Sequence, residues 1–284
     1  TPHHGEDLLD HHLNKHCRTI ACNTCHSPVY AKCKPTKVFW DWSQAGDTER
    51  KPKKDKYGMP DYNWKKGAFR WKESAKPVYT WDSRFTKRVF LGDPVDWRSG
   101  PVKISEPVGS IKDPNSKIAP FKIMEGIQAV DAEYDYLLVP HLFPRNKEDT
   151  TAYWKHRDWQ KSFADGMEAA SLKYSGKFEW TTSQMYWRVE HEVMPAESAL
   201  SCVQCHASLQ GARTCDRCHQ DSREVNFKKI AHKGTDFSYM ASRGRDVSHL
   251  VGTTDYIDFK ALGYKGDPIV HGGRFKKLPM GYKA

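Results

Sequence analysis

Eight cysteines and fourteen histidines carry most of the chemistry that this sequence offers. Six of the cysteines lie in three copies of the pattern Cys-x-x-Cys-His, at residues 22–26, 202–206 and 215–219. This pattern is the attachment signature of haem c, in which both thiols form thioethers and the histidine binds iron. We therefore predict three covalent haems, attached through Cys22, Cys25, Cys202, Cys205, Cys215 and Cys218, with His26, His206 and His219 as proximal iron ligands.

Other uses of paired cysteines explain the pattern less well. Zinc sites use Cys-x-x-Cys pairs, but they do not need a histidine directly after the second cysteine of every pair. Iron–sulfur clusters need four cysteines and no histidine. A thioredoxin-like motif occurs once, beside a βαβ pattern that this sequence lacks.

The irons need further ligands on their distal sides, and eleven histidines remain outside the motifs. Residues 6–17 are predicted to form an amphipathic helix, because Leu9 and Leu13 lie one turn apart. His12 and His16 share one face of this helix, since they are four residues apart. At least one of the two is therefore expected to bind iron.

A second distal ligand is expected close to the other two motifs. Residues 183–191 are predicted to form a short helix with Ser183 as its N-cap, and His191 at its end is the preferred ligand. His249, in a polar segment after the third motif, is the next candidate. The sequence leaves open His12 versus His16, and His249 versus His3, His4, His232 or His271.

The two remaining cysteines, Cys17 and Cys33, flank the first motif. Haem c is attached outside the cytoplasm, where disulfides persist, so we expect a Cys17–Cys33 disulfide in a periplasmic or extracellular protein. The first residues lack the basic and apolar regions of a signal peptide, which is therefore expected to have been removed. A mean hydropathy of −0.78 without a long apolar run excludes a transmembrane helix.

Covalent haems are expected to take the place of much of the apolar core. The predicted fold is therefore a multihaem cytochrome c of mostly irregular loops and short α-helices packed around the haems, with little β-structure. We divide the chain into an N-terminal haem-binding segment (1–35), an irregular middle rich in Trp and Lys (36–149), and a helical region with two closely spaced motifs and a C-terminal loop (150–284). Thr150 or Thr151 is expected to cap a helix over about 150–173.

The formal net charge is +10, and a basic run lies at residues 50–56 with aromatic residues around it. Such a combination suits nucleic-acid binding, but an exported haem protein is not expected to bind nucleic acid. We expect the basic run to form a solvated loop that faces acidic redox partners or offsets the charge of the haem propionates.

Several segments resemble the octahaem tetrathionate reductase family of multihaem cytochromes c. Among them are Cys-Asn-Thr-Cys-His-Ser-Pro at 22–28, Trp-Asp-Trp-Ser-Gln-Ala-Gly at 40–46 and Gly-Tyr-Lys-Gly-Asp-Pro at 263–268. The resemblance spans most of this chain but only the C-terminal part of the family's. It implies His191, and His16 or His12, as distal ligands.

The departures from that family bear on function. Its members carry eight haems and react at a haem with a lysine proximal ligand, whereas all three motifs here end in histidine. The favoured function is electron carriage through three low-spin haems, with no catalytic residue in this chain. The alternatives are a subunit or fragment of a reductase of sulfur or nitrogen oxyanions, with its catalytic haem on another chain, and a subunit of a polymeric cytochrome wire. The expected partners are other multihaem subunits or copies of this chain.

Overall fold

The computed structural model describes residues 13–206, 257–271 and 273–274. Within these residues the chain forms one eight-stranded sheet with short helices around it. The strands are β1 (Thr36–Asp41), β2 (Tyr62–Asn63), β3 (Gly67–Lys72), β4 (Val78–Asp82), β5 (Phe85–Arg88), β6 (Val102–Val108), β7 (Lys117–Asp131) and β8 (Phe178–Arg188). The helices whose two ends are both described are α1 (Cys22–His26), α2 (Tyr153–His156), α3 (Trp159–Ala169), α4 (Cys202–Cys205) and α5 (Pro268–His271).

The sheet is organised around β7, its longest strand. The strand order is β2-β3-β1-β7-β8-β6-β5, and β4 also pairs with β7. Phe121 pairs with Val78 of β4 on one side and with Arg188 of β8 on the other. Strand β1 also pairs with β7 on the side away from β8. Strands β4 and β1 therefore share one edge of β7. The β1–β7 and β6–β8 pairs are parallel, and all other pairs are antiparallel.

The expectation of little β-structure is wrong for the described residues. Aromatic and β-branched residues favour strands, and the middle of the chain is rich in them. The alternation of buried and exposed residues that marks many strands is missing here, because residues 118–121 of β7 are all buried in succession. Register shifts also interrupt the alternation in β1 and β6.

The prediction of a helix at residues 183–191 is also wrong. Residues up to Arg188 belong to β8, which pairs with β7 in unbroken antiparallel register from Phe178 to Arg188. Thr181 and Ser183 are buried on the same face of this strand, so Ser183 lies in the sheet and caps no helix. Ser183 pairs with Gly126 and Arg188 with Phe121. A local helical pattern cannot detect partners so far away in the sequence, and this pairing decides the structure.

The helix expected over about 150–173 is present in a shorter form. It comprises α2 and α3, and the Asp158 side chain caps α3 by accepting a hydrogen bond from the Lys161 backbone N–H at 3.2 Å. Thr150 and Thr151 therefore do not cap it. Of the N-terminal helix expected at 6–17, the structure describes residues 13–17, of which 13–16 are helical and Cys17 begins a turn.

The inner face of α3 packs on the sheet through one apolar cluster. Phe163 and Met167 are buried against Ala129 of β7 and Leu138. Gly166 allows this close approach, since a Cβ atom there would lie 2.0 Å from the carbonyl oxygen of Val139. No described helix has the length and apolar character needed to span a bilayer.

Replacing Phe163 by alanine tests how much this cluster contributes to stability. The Phe163 side chain is 1% exposed, and its ring contacts Trp159 and Phe178 at centroid distances of 5.1 and 5.0 Å. Loss of such a ring from a packed core costs about 3–5 kcal/mol of unfolding free energy, measurable by denaturant titration. Phe85→Ala, at a residue that is 74% exposed, is the matched control. Equal midpoints for the two variants would contradict the role given to the cluster.

Candidate haem-binding site

The first motif forms the short helix α1, which places both of its cysteines one turn apart on the same side. The N-terminal end of β7 anchors this helix. The buried Thr24 hydroxyl donates a hydrogen bond to the carbonyl oxygen of Ile118 at 2.8 Å, and the backbone N–H of Ala21 donates to the same oxygen at 2.9 Å. The Asn23 side chain also donates to the carbonyl oxygen of Val189. Cys22 is left exposed and Cys25 half-buried.

The His26 ring has the arrangement expected of a metal ligand. Its Nδ1 atom lies 3.0 Å from the carbonyl oxygen of Met194. A carbonyl oxygen only accepts hydrogen bonds, so in the neutral imidazole Nδ1 carries the proton and Nε2 has the lone pair for a metal. Such a hydrogen bond on the other ring nitrogen is the usual way in which proteins orient a metal-ligating histidine.

The second motif lies on α4, with His206 directly after the helix. Ser201 precedes α4, and the Gln204 side chain accepts a hydrogen bond from the Ser201 backbone N–H at 2.8 Å, which is one half of a capping box. The His206 side chain is only 8% exposed, and its Nδ1 atom lies 2.7 Å from Oδ1 of Asp267. As with His26, the acceptor fixes the proton on Nδ1 and leaves Nε2 for a metal.

Two further rings flank His206. The ring of His16 lies 6.0 Å away between centroids at an interplanar angle of 25°, and that of Phe259 lies 5.4 Å away at 14°. The segment that carries Phe259 is held to the sheet, because the indole N–H of Trp81 donates to the carbonyl oxygen of Leu262 at 2.8 Å. The site thus combines the N-terminal helical turn, the second motif and the segment at 257–274.

The first two motifs are neighbours in space, although about 180 residues separate them in the sequence. The Leu200 side chain packs against both Cys25 and Cys205. In addition, the Leu200 backbone N–H donates to the carbonyl oxygen of Cys25 at 2.9 Å. The sequence indicated proximity only for the second and third motifs, whose spacing is short.

His191 lies in the segment after β8, and its side chain is 75% exposed. His271 ends α5 and is also exposed. The structure describes Cys17 and Cys33 as free thiols, so it does not contain the disulfide expected between them. Burial raises the pKa of the Cys17 thiol, and the nearby Cys22 adds to the rise. The other predicted residues lie outside what the structure describes, either entirely (His3, His4, His12, Cys215, Cys218, His219, His232, His249) or in the side chain alone (Cys202).

Nothing in the sequence marks Asp267, Met194 or Leu200 as part of the site. Asp267 belongs to the family resemblance at 263–268, but no spacing connects it to His206, 61 residues earlier. Among the described residues no group of three His, Cys, Asp or Glu side chains is arranged to hold a bare metal ion. The described donor set of thiols and one imidazole per motif, with the second nitrogen of each imidazole already bonded, fits haem c.

Comparison with known proteins agrees with this chemistry. Residues 37–209, which include the second motif, match the family described as bacterial cytochrome c. The chain belongs to the bacterial cytochrome c family. Membership of this family implies covalently bound haem c. No curated protein gives a significant match.

A solved structure adds the likeness of the whole fold to this cytochrome. The crystal structure of octahaem cytochrome c from Shewanella oneidensis is 32% identical to this chain, with a TM-score of 0.69. The alignment covers 92% of this chain and 49% of the octahaem chain. This cytochrome therefore spans about half the length of the octahaem protein. It is a multihaem cytochrome c that resembles the octahaem protein.

The anchoring of α1 on β7 is tested by Thr24→Val, which preserves the shape of the side chain and removes the hydroxyl. The carbonyl oxygen of Ile118 keeps its bond from Ala21, so no buried acceptor is left unpaired. We expect a loss of about 1 kcal/mol of unfolding free energy, the usual contribution of one hydrogen bond, as measured by chemical denaturation of the haem-loaded protein. Thr86→Val, at an exposed position of β5, controls for the substitution. A cost at Thr24 no larger than at Thr86 would contradict the anchor.

Proposed function

We propose that this protein is an extracytoplasmic, periplasmic or extracellular, c-type cytochrome that carries electrons through three covalently bound haems. The observation that carries the proposal is the hydrogen bond at Nδ1 of the two motif histidines that the structure describes. In both His26 and His206 a protein acceptor holds Nδ1, which leaves Nε2 for iron. Family membership supports the haem chemistry, and the three intact motifs support the number.

His16 is the proposed distal ligand of the haem on the second motif, with His206 as its proximal ligand. If His16 and His206 both held the iron of that haem, their rings would need a separation of about 6 Å to leave room for one metal atom between them. The His16 and His206 rings are 6.0 Å apart between centroids. This agreement favours His16 over His12 for that position.

The proposed distal ligands of the other two haems are His191 and His249. The exposed His191 ring lies in the segment that contributes Met194 to His26, so this segment borders the first motif. His249 is the candidate near the third motif. An iron held by two histidines would exchange electrons without an open position for substrate, so these ligands would suit electron transfer rather than catalysis in this chain.

The packing around Leu200 supports rapid transfer between the first two haems. Cys25 and Cys205 contact the same side chain, so the attachment points of the first two haems lie side by side. Electron exchange weakens steeply with distance, and such neighbours form one conducting unit. The haem chemistry is the cofactor's, and the protein contributes ligands, orientation and spacing.

A second candidate function is a subunit or fragment of a multihaem reductase of sulfur or nitrogen oxyanions, or a subunit of a polymeric wire. The chain covers 49% of an octahaem cytochrome c, which favours a partner that carries further haems. That partner is proposed to be another multihaem subunit or a copy of this chain. The net charge of +10 favours acidic redox partners.

Intact-mass analysis tests the number of haems. Thioethers survive denaturation, so the denatured, fully matured protein is expected to show the polypeptide plus three haem masses. The double variant Cys215→Ala/Cys218→Ala should lose one of them, because it removes both attachment points of the third motif. A wild-type protein with two haems, or a double variant that keeps three, would contradict the proposal for that motif.

Replacing His16 by alanine tests the axial pair. Loss of the distal ligand opens one iron, so about one third of the haem is expected to become high-spin and to bind carbon monoxide when reduced. Electron paramagnetic resonance and carbon monoxide difference spectra measure both effects. His156→Ala, at an exposed position on α2, is the control and should remain fully low-spin. An unchanged spectrum for His16→Ala would remove His16 from the ligand set.

A further inference from the structure

The two described motif histidines differ in the group that accepts their Nδ1 proton. For His26 the acceptor is the neutral carbonyl oxygen of Met194 at 3.0 Å, and for His206 it is a carboxylate oxygen of Asp267 at 2.7 Å. Hydrogen bonds to a charged acceptor are shorter and roughly twice as strong as those to a neutral one. The motif itself is the same in both cases, so the difference comes from the surrounding fold.

Burial strengthens the contact between His206 and Asp267. Their side chains are 8% and 16% exposed, and a hydrogen bond in such low-dielectric surroundings is electrostatically stronger than one in water. Phe259 covers the His206 ring at a centroid distance of 5.4 Å and limits the access of water to it.

The backbone holds Asp267 in place for this contact. It directly precedes α5, and Pro268 at the first helical position fixes the local chain direction. The backbone N–H groups of Val270 and His271 both donate to the Asp267 carbonyl oxygen at 3.0 Å. The preceding residues Leu262 and Phe259 are buried in the cluster around Trp81 and Ile118, so Asp267 is attached to the sheet.

We propose that Asp267 is a positioning residue that orients His206 and increases its electron donation to iron, which lowers the reduction potential of the second haem. A carboxylate that accepts the Nδ1 proton raises the basicity of the imidazole. A more basic ligand stabilises the ferric state over the ferrous state, and outer hydrogen bonding is a recognised determinant of haem potential. This inference rests on the proposed haem at the second motif.

The test is Asp267→Asn in the full-length, haem-loaded protein. The asparagine carbonyl still accepts a hydrogen bond from Nδ1 but lacks the negative charge. We expect one of the reduction potentials to shift upward in a spectroelectrochemical titration, while the others stay in place and all irons remain low-spin. Asp258→Asn changes an exposed carboxylate of the same segment and is expected to leave every potential unchanged.

Asp267→Glu provides a second variant that retains the charge. It is expected to return the shifted potential toward the wild-type value, which a merely structural role for Asp267 would not predict. It also keeps the inference testable if the asparagine variant does not mature. Potentials of Asp267→Asn equal to those of the wild type, with all haems present, would overturn the inference.

Mass analysis separates this failure from failure of the proposed function. If Cys202→Ala/Cys205→Ala has the same haem count as the wild type, then no haem is attached at the second motif. In that case the proposed function and the inference both fail. If the double variant loses one haem mass and Asp267→Asn leaves all potentials unchanged, only the role of Asp267 fails.

Discussion

The peptide unit of Ile118, at the start of β7, joins the parts of this cytochrome that matter for its chemistry. Its carbonyl oxygen accepts hydrogen bonds from Ala21 and Thr24 at the first motif, and its N–H donates to the carbonyl oxygen of Thr19 at 2.8 Å. Its side chain is 1% exposed and packs in the cluster with Trp81 and Phe259. One end of one strand thus fixes the first motif helix and the segment that leads to Asp267, so the spacing between the haem-binding elements depends on this residue.

Haem attachment could be predicted from the sequence because the residues that it needs are neighbours in the chain. Each Cys-x-x-Cys-His motif is complete within five residues, and a helical turn is enough to bring its two cysteines to one side. The fold could not be predicted in the same way, since β7 gains its partners from residues as distant as Trp40 and Thr182. Residues 183–188 carry a mixture of polar and aromatic residues that suits either structure locally, and pairing with β7 makes them a strand.

The assumption that haems replace the apolar core also explains part of the error. The described residues contain cores of their own, one around Phe163 and Met167 and another around Trp81. Several tryptophans hold loops in place by hydrogen bonding as well as by burial: the indole N–H of Trp154 donates to the carbonyl oxygen of Lys65, and that of Trp97 donates to the Asp135 carboxylate. Their irregular spacing follows from these separate long-range contacts, which leave no period in the sequence.

His26 and His206 differ in the residue that accepts their Nδ1 hydrogen bond. Such a difference is how haems on identical motifs would acquire different electronic properties. Identical motifs supply identical attachment and an identical first ligand, so any difference must come from residues that the fold brings in from elsewhere. Here those residues are Met194, in the segment after β8, and Asp267, before α5. Because a carbonyl and a carboxylate differ by a full charge at hydrogen-bond distance, haems attached at the two motifs that meet at Leu200 would receive different electronic environments. A difference in potential between neighbouring haems gives electron flow a direction, and under the proposed role of Asp267 the tertiary structure of this chain would supply that difference.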